Sequence, residues 1–111
     1  NVYPEELEAQ LNEQRFIAES LVWGGASEDP ALTEVQAIIF PEVEAFDEEL
    51  GAGNYDDETI LKMIGKAVKH VNVGLANYKR VRKFSLRHQE FEKTTTRKIK
   101  RYLYTGTAAG L

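Results

Sequence analysis

The strongest pattern in the sequence is one long amphipathic helix, predicted from Asp56 to about Asn72. Asp56 is a good helix cap, and Asp57 and Glu58 place carboxylates in the first turn, where the helix dipole favours them. Apolar residues then recur at helical spacing: Ile60, Ile64, Val68 and Val71. Because strand-like segments lie on both sides of this helix in the chain, its apolar stripe must cover a small sheet.

Four further elements are predicted. A first helix begins at Pro4, since proline suits the first helical position and two glutamates follow it. Residues 16–23 and 34–40 are strand-like, and the short polar turn between them predicts a hairpin. We expect Gly24 and Gly25 to end the first of these strands. A third strand is predicted at residues 79–86.

The predicted order, α-β-β-α-β, indicates a small α+β domain of two layers. We expect a mainly antiparallel sheet of about three strands, two main helices on one face, and a terminal loop that carries a lysine. An additional strand before Asn1 would complete a split β-α-β-β-α-β pattern, and the missing initiator methionine indicates a piece of a longer protein. The predicted domain spans residues 1–104. Residues 42–55 are predicted as an acidic surface loop that can hold a helical turn, and residues 105–111 as a flexible tail.

Composition narrows the classes of function. The 111 residues fit one domain, and 42% apolar with 29% charged residues is ordinary for a soluble globular protein. There is no cysteine, which excludes disulfides and thiol catalysis. No apolar run approaches the ~20 residues of a membrane span, and no signal peptide is visible. We therefore expect a cytoplasmic protein, with peripheral membrane association of the full-length protein left open.

The charge is divided unevenly along the chain. Residues 1–58 hold 16 Asp and Glu against one cation, Arg15, whereas residues 59–111 hold 13 Lys and Arg against two carboxylates, Glu90 and Glu92. One interpretation is a chance segregation of solvated helix faces. The other is that the basic half meets a polyanion while the acidic half faces solvent or a partner domain.

Three threonines run directly into a cluster of cations at residues 93–101, KTTTRKIKR. A polar, β-branched loop that ends in a lysine can place an ammonium on an anion, while hydroxyls and backbone amides hold the loop around it. On chemistry alone, the segment predicts only that an anion is handled here.

Three stretches of the chain resemble the AMP-forming, acyl-activating ligases, in that family's order. Residues 1–8, NVYPEELE, are similar to Asn-Ile-Tyr/Ser-Pro-Glu-Glu-Ile-Glu, which follows the hinge between the family's two domains. Residues 75–80, LANYKR, are similar to Leu-Pro-x-Tyr-Lys-x. Residues 91–101, FEKTTTRKIKR, resemble the closing motif Pro-Lys-Thr-x-Ser/Thr-Gly-Lys-Ile, in its long-chain fatty acyl-CoA synthetase version. The whole therefore resembles the C-terminal domain of a long-chain fatty acid–CoA ligase.

The resemblance puts Lys98 at the position of the family's adenylation lysine. It implies a ligase that uses ATP and CoA as substrates, with Mg²⁺ expected through an N-terminal adenylation domain that this chain lacks. That domain, together with the fatty acid, ATP and CoA, would be the partner of this one, and rotation between two orientations would serve the two half-reactions. We expect the fragment alone to fold, to bind no cofactor stably and to be inactive.

The match has departures. Ala76 replaces a proline, which puts little in doubt, and Glu92 also stands where many relatives have proline. Arg97 stands where most have glycine, and an arginine takes positive φ less cheaply than glycine, so we expect the loop before Lys98 to differ in shape.

Other residues of the loop are weaker candidates. We name Thr96, Arg97, Lys93 and Lys100 as candidate contacts for ATP or CoA phosphates. For Thr94, Thr95 and Thr96, shaping of the turn is the favoured interpretation over binding of phosphate or ribose. Lys93, Lys100 and Arg101 fit a solvated face or a domain interface equally well.

Two other functions are compatible with parts of the sequence. One is a nucleic-acid-binding module, in which the basic half follows phosphates and aromatic residues stack on bases. The other is a regulatory domain without chemistry. No nucleic-acid partner is expected, since the first half is acidic and no nucleic-acid signature is present. No metal site is predicted, because His70 and His88 each lack a second ligand at metal spacing. Trp23 is interpreted as a packing residue.

Overall fold

The computed structural model describes residues 4–26 and 33–109. The predicted turn at residues 26–33 lies almost wholly outside them, as do residues 1–3 and 110–111. The helices are α1 (Pro4–Asn12), α2 (Val43–Leu50), α3 (Asp57–Val73) and α4 (Tyr102–Ala109), with a 3₁₀ turn at Asn77–Lys79. The strands are β1 (Ile17–Ala26), β2 (Thr33–Pro41) and β3 (Lys83–Leu86).

The described strands form one mixed sheet in the order β1-β2-β3. β1 and β2 pair antiparallel, with Val22 opposite Ala37, which confirms the predicted hairpin. β3 pairs parallel with β2, and α3 provides the crossover between them. The small α+β class with three strands is confirmed.

Gly24 and Gly25 do not end β1, contrary to the sequence prediction. They continue the ladder opposite Val35 and Glu34, and β1 runs on to Ala26. Glycine weakens a strand through its conformational freedom, but it loses no backbone hydrogen bonds, so pairing with β2 overrides the local preference.

α1 and α3 share one apolar core with the sheet. Alternate residues of β2 point into it, and Leu11, Ile39, Phe46 and Ile64 are completely buried there. Ile60, Ile64, Val68 and Val71 are the buried stripe of α3, as its periodicity predicted.

α3 begins where the sequence predicts it. The Asp56 side chain accepts a hydrogen bond from the Thr59 backbone N–H at 3.0 Å and another from the Thr59 hydroxyl at 2.9 Å. These two bonds hold the pKa of Asp56 below its ordinary value, because they favour the charged carboxylate. β3 is shorter than predicted, since the 3₁₀ turn occupies the start of the expected strand.

The acidic segment at residues 42–55 is not simply a loop. It contains α2, whose Phe46 is completely buried and stacks against Phe16 and Tyr55 with ring centroids 4.8 and 5.6 Å apart. The many acidic residues are typical of a loop, but the segment contains a short helix with two buried residues, Ala45 and Phe46. The rest of the segment is a turn, in which Gly51 and Gly53 take positive φ of 89° and 77°.

The C-terminal segment returns to β1. α4 contacts β1, and it covers part of the stretch for which we predicted a flexible tail. Among the described helices, none combines the length and the apolar character that a crossing of the bilayer requires.

Candidate functional site

The hydroxyl–lysine segment forms a tight β-hairpin, here called the lysine hairpin (residues 93–99). Lys93 and Ile99 form an antiparallel bridge. Inside it, the Thr94 N–H donates to the Lys98 carbonyl at 2.8 Å, and the Arg97 N–H donates to the Thr94 carbonyl at 2.9 Å. A turn followed by one residue with positive φ is a common way to close such a hairpin.

Threonine hydroxyls shape this turn, as predicted. The Lys98 N–H donates to Thr94 Oγ1 at 3.2 Å, and the hydroxyls of Thr94 and Thr96 lie 3.0 Å apart. Both hydroxyls are exposed, so these bonds leave the outer side of the hairpin open to a ligand.

Arg97 is the residue with positive φ, 66°, and among the described residues no other non-glycine has one. Arg97 adopts the left-handed conformation, which glycine takes at the least cost. For an ordinary residue that conformation costs about 1–2 kcal/mol. The rest of the hairpin must therefore impose it. The expected difference in loop shape from the family stays a prediction.

Lys98 lies next to this strained residue, and its side chain is exposed. Its backbone is used by the turn, but within the described ranges its ammonium has no ion-pair partner. An open groove of about 380 Å³ borders it, lined by cationic and carboxylate residues, among them Arg97, Glu5 and Glu8. The ammonium is thus available to an anion that approaches the hairpin.

The cations at the base of the hairpin are already paired. The Lys93 ammonium contacts Glu19, and it donates to the Phe91 carbonyl at 3.3 Å. Lys100 lies 3.7 Å from Glu92. A phosphate would have to compete with these carboxylates, which makes Lys93 and Lys100 weaker candidates for phosphate contacts than Arg97 and Lys98.

Arg101 makes the most extensive polar contact of the segment. Its two terminal nitrogens donate to both oxygens of Glu8, at 2.7 and 2.6 Å, and Nη1 also reaches the Val22 carbonyl at 3.4 Å. The hydrogen bonds to Glu8 raise the pKa of Arg101, so the guanidinium stays charged. This contact lies inside the domain, so it differs from both the solvated face and the domain interface that the sequence suggested for Arg101.

The Glu8 carboxylate is a buried acceptor. Its side chain is 11% exposed, and Oε2 also accepts the Val22 N–H at 2.8 Å. Glu8 of α1, Arg101 and the backbone N–H and C=O of Val22 in β1 therefore form a closed hydrogen-bonded set. Residue spacing gave no sign of it, since the pair is separated by 93 positions in the chain.

An aromatic pair supports the other side of the hairpin. The rings of Phe91 and Tyr104 meet edge to face with centroids 5.0 Å apart, and the Arg87 guanidinium lies 4.6 Å from the Tyr104 ring centroid. The Glu92 N–H donates to the Tyr104 hydroxyl at 2.6 Å. Sequence analysis assigned no such role to Tyr104, although an aromatic residue on each side of the threonine–lysine segment was a usable signal.

The histidines lie apart from one another. His70 is exposed on α3, and His88 lies 3.2 Å from Asp57. Over the described residues, no group of three or more His, Asp or Glu side chains could hold a metal ion. These residues do not fit a Mg²⁺ site, and we derive no step through one.

Comparison of sequences gives no relative. No family model matches the chain, and no curated protein matches it.

Comparison of structures gives a clear fold. The anthranilate CoA ligase AuaEII, solved with anthranoyl-AMP, matches 97% of this chain with a TM-score of 0.66 and 24% identity. The A-PCP didomain of the carboxylic acid reductase of Segniliparus rugosus, solved with AMP, matches 98% with a TM-score of 0.67 and 18% identity. A fatty acyl CoA synthetase of Mycobacterium tuberculosis matches 93% with a TM-score of 0.56 and 21% identity.

These structural neighbours are acyl- and aryl-CoA ligases and adenylation domains. The chain spans only 15–18% of the length of these three neighbours. At this level of identity the comparison establishes a shared fold: the chain folds like one small part of an adenylate-forming ligase.

Proposed function

We propose that this chain is the C-terminal domain of an AMP-forming long-chain fatty acid–CoA ligase, and that it supplies Lys98 for adenylation. The observation that carries the proposal is the exposed Lys98, which follows Arg97 on the returning arm of the hairpin and has no carboxylate partner among the described residues. The neighbouring cations Lys93, Lys100 and Arg101 are paired with carboxylates. The sequence resemblance at residues 91–101 and the fold of the ligase neighbours support it independently.

The chemistry explains why an ammonium is needed. A fatty acid carboxylate oxygen bonds to the α-phosphorus of ATP, and the bond to pyrophosphate breaks. Two anions must approach each other, and negative charge grows on the phosphoryl oxygens. A fixed ammonium between them offsets both effects, and a site away from bulk water strengthens this attraction.

The second half-reaction has a different nucleophile. The CoA thiol attacks the acyl carbon, and AMP leaves with the electrons of the broken bond. We propose that the domain rotates between these steps, so that Lys98 approaches the nucleotide only in the first. Rotation about a hinge is an established way to complete a site only when it is needed.

The remaining parts of the proposal follow from the same resemblance. ATP and CoA are substrates, Mg²⁺ would enter through the N-terminal adenylation domain, and that domain is the main partner. The long acyl chain would be bound there, in a cytoplasmic enzyme.

The nucleic-acid alternative loses support from the contacts. Phe91 is 3% exposed and packs on Tyr104, so it is not free to stack on a base. The Lys93 ammonium and the Arg101 guanidinium face carboxylates of the acidic half.

The test is Lys98→Ala in the full-length enzyme that contains this chain. Formation of acyl-adenylate is followed by pyrophosphate release, and CoA transfer is measured separately from synthetic acyl-AMP. We expect adenylation to fall on the order of 10²–10³-fold, the loss of one transition-state electrostatic contact, while CoA transfer survives. Lys69→Ala, an exposed lysine on α3, is the matched control and should change neither. If adenylation is unchanged in Lys98→Ala, the proposal fails.

A further inference from the structure

Both ends of the lysine hairpin are tied to glutamates of the acidic half. At its entry, the Glu19 carboxylate of β1 accepts the Phe91 N–H at 3.2 Å and contacts the Lys93 ammonium. At its exit, the Glu8 carboxylate of α1 binds Arg101 through two nitrogens. The uneven charge along the chain therefore has a structural use, because acidic residues near the N-terminus hold basic residues that flank Lys98.

The exit contact is the more rigid of the two. A guanidinium that meets both oxygens of one carboxylate is fixed in distance and in angle, unlike a lysine ammonium. The Val22 peptide group fixes the same carboxylate from a third direction, with its N–H 2.8 Å from Oε2 of Glu8. The Arg101 guanidinium is thus held against two elements at once, α1 through Glu8 and β1 through Val22.

Arg101 follows Lys98 by only three residues. The short connection, together with the Lys93–Ile99 bridge, transmits the position of Arg101 to the lysine. We propose that Glu8 is a positioning residue for Lys98, acting through Arg101. This inference rests on the proposed function, because it assigns a role relative to the adenylation lysine.

Loss of Glu8 is expected to slow the chemical step of adenylation. Glu8 lies on α1 and is largely buried, and its carboxylate binds Arg101 and the Val22 N–H, so its loss should shift the Lys98 ammonium without removing it. A misplacement of about 1 Å can cost up to ~10² in rate. A change that only weakened the domain would instead lower the amount of active enzyme and affect both half-reactions equally.

The experiment uses two variants of the full-length enzyme, Glu8→Gln and Arg101→Lys. Glutamine cannot accept from both Arg101 nitrogens and the Val22 N–H, because one of its oxygens becomes an NH₂ donor. Lysine keeps the charge of Arg101 and loses the two-point contact. We expect the kcat of adenylation to fall about 10–100-fold in both, with the KM for ATP and the rate of CoA transfer from acyl-AMP nearly unchanged.

A double variant tests whether the effect of Glu8 on adenylation depends on Lys98. In a Lys98→Ala background, Glu8→Gln should lower adenylation no further, because the group that it positions is gone. Glu49→Gln is the matched control: Glu49 also pairs with an arginine, Arg15 at 2.6 Å, but on an exposed surface outside the hairpin. It should leave adenylation unchanged. If Glu8→Gln proves too unstable to assay, Arg101→Lys carries the test.

The possible failures are distinct. If Lys98→Ala abolishes adenylation while Glu8→Gln and Arg101→Lys leave it unchanged, the positioning role is wrong and the proposed function stands. Equal losses in both half-reactions would show a structural role for Glu8, particularly if the loss in the double variant is the product of the losses in Glu8→Gln and Lys98→Ala. That result would also overturn the inference. If Lys98→Ala has no effect, the proposed function falls, and the inference falls with it.

Discussion

Two tight turns in this molecule both contain positive φ angles, but different kinds of residue adopt them. The turn after α2 takes positive φ at Gly51 and Gly53, where no side chain opposes it. The lysine hairpin takes positive φ at Arg97, a residue that opposes it. Both turns lie on the surface: the first joins α2 to α3, and the second lies between β3 and α4.

The difference teaches where each turn gets its shape. The first is set by its own residues, since glycine adopts these angles without help. The second is imposed on Arg97 by the hydrogen bonds inside the hairpin, and Glu19 and Glu8 hold the residues at its two ends. Strained backbone that persists because its surroundings dictate it is characteristic of functional sites, and here it stands directly before Lys98.

The largest expected effect is in the glycine turn. Gly51 combines φ of 89° with ψ of 134°, which is accessible essentially to glycine only, and an added Cβ would lie 2.5 Å from the Asn54 side-chain nitrogen. We expect Gly51→Ala to lower the free energy of unfolding by about 2–3 kcal/mol, as measured by urea denaturation.

Gly53→Ala is the control for Gly51→Ala. Its added Cβ would meet nothing within 4 Å, so only the backbone cost, about 1 kcal/mol, should appear. Equal losses at the two glycines would show that neither the Asn54 contact nor the ψ of Gly51 adds a cost beyond that of positive φ.

A smaller effect on stability is expected at Thr94, whose hydroxyl helps to hold the turn of the lysine hairpin. Thr94→Val keeps the β-branched shape and removes the acceptor of the Lys98 N–H. We expect the free energy of unfolding to fall by about 0.5–1 kcal/mol, and hydrogen exchange at the Lys98 amide to become faster. Thr95→Val is the matched control, as no hydrogen bond of the Thr95 side chain is found among the described residues. Unchanged exchange in Thr94→Val would mean that the hydroxyl does not hold the turn.

The smallest effect is expected for Arg97→Gly. Glycine relieves about 1–2 kcal/mol of backbone strain but gains roughly 0.5–1 kcal/mol of freedom in the unfolded chain. The net expectation is a gain of about 0.5 kcal/mol in the free energy of unfolding. A clear loss of stability would show that the arginine side chain makes a stabilising contribution that outweighs the strain, and the comparison between the two turns would fail.

Local chemistry accounts for what the sequence predicted. The Asp56 cap and the apolar stripe of α3 act within one helix, and the β1–β2 hairpin joins neighbours in the chain. The sequence suggested only a loop with a helical turn where α2 forms, because carboxylates dominate the segment, while one buried ring, Phe46, decides the place of the helix.

The candidate site was predictable only in part. Motif likeness indicated Lys98, and the run of threonines predicted a turn that the Thr94 hydroxyl shapes. The pairing of Glu8 with Arg101 depends on how α1 and the C-terminal segment meet over β1, and no spacing of residues reports that. The parallel β2–β3 pairing is non-local in the same way.

The Glu8–Arg101 pair has a consequence for solubility. In the described sheet β1 is an edge strand, and edge strands with free N–H and C=O groups can recruit strands of other molecules into aggregates. At Val22 both groups are occupied, one by the carboxylate and one by the guanidinium. Two charged side chains therefore stand where an intruding strand would have to form its hydrogen bonds.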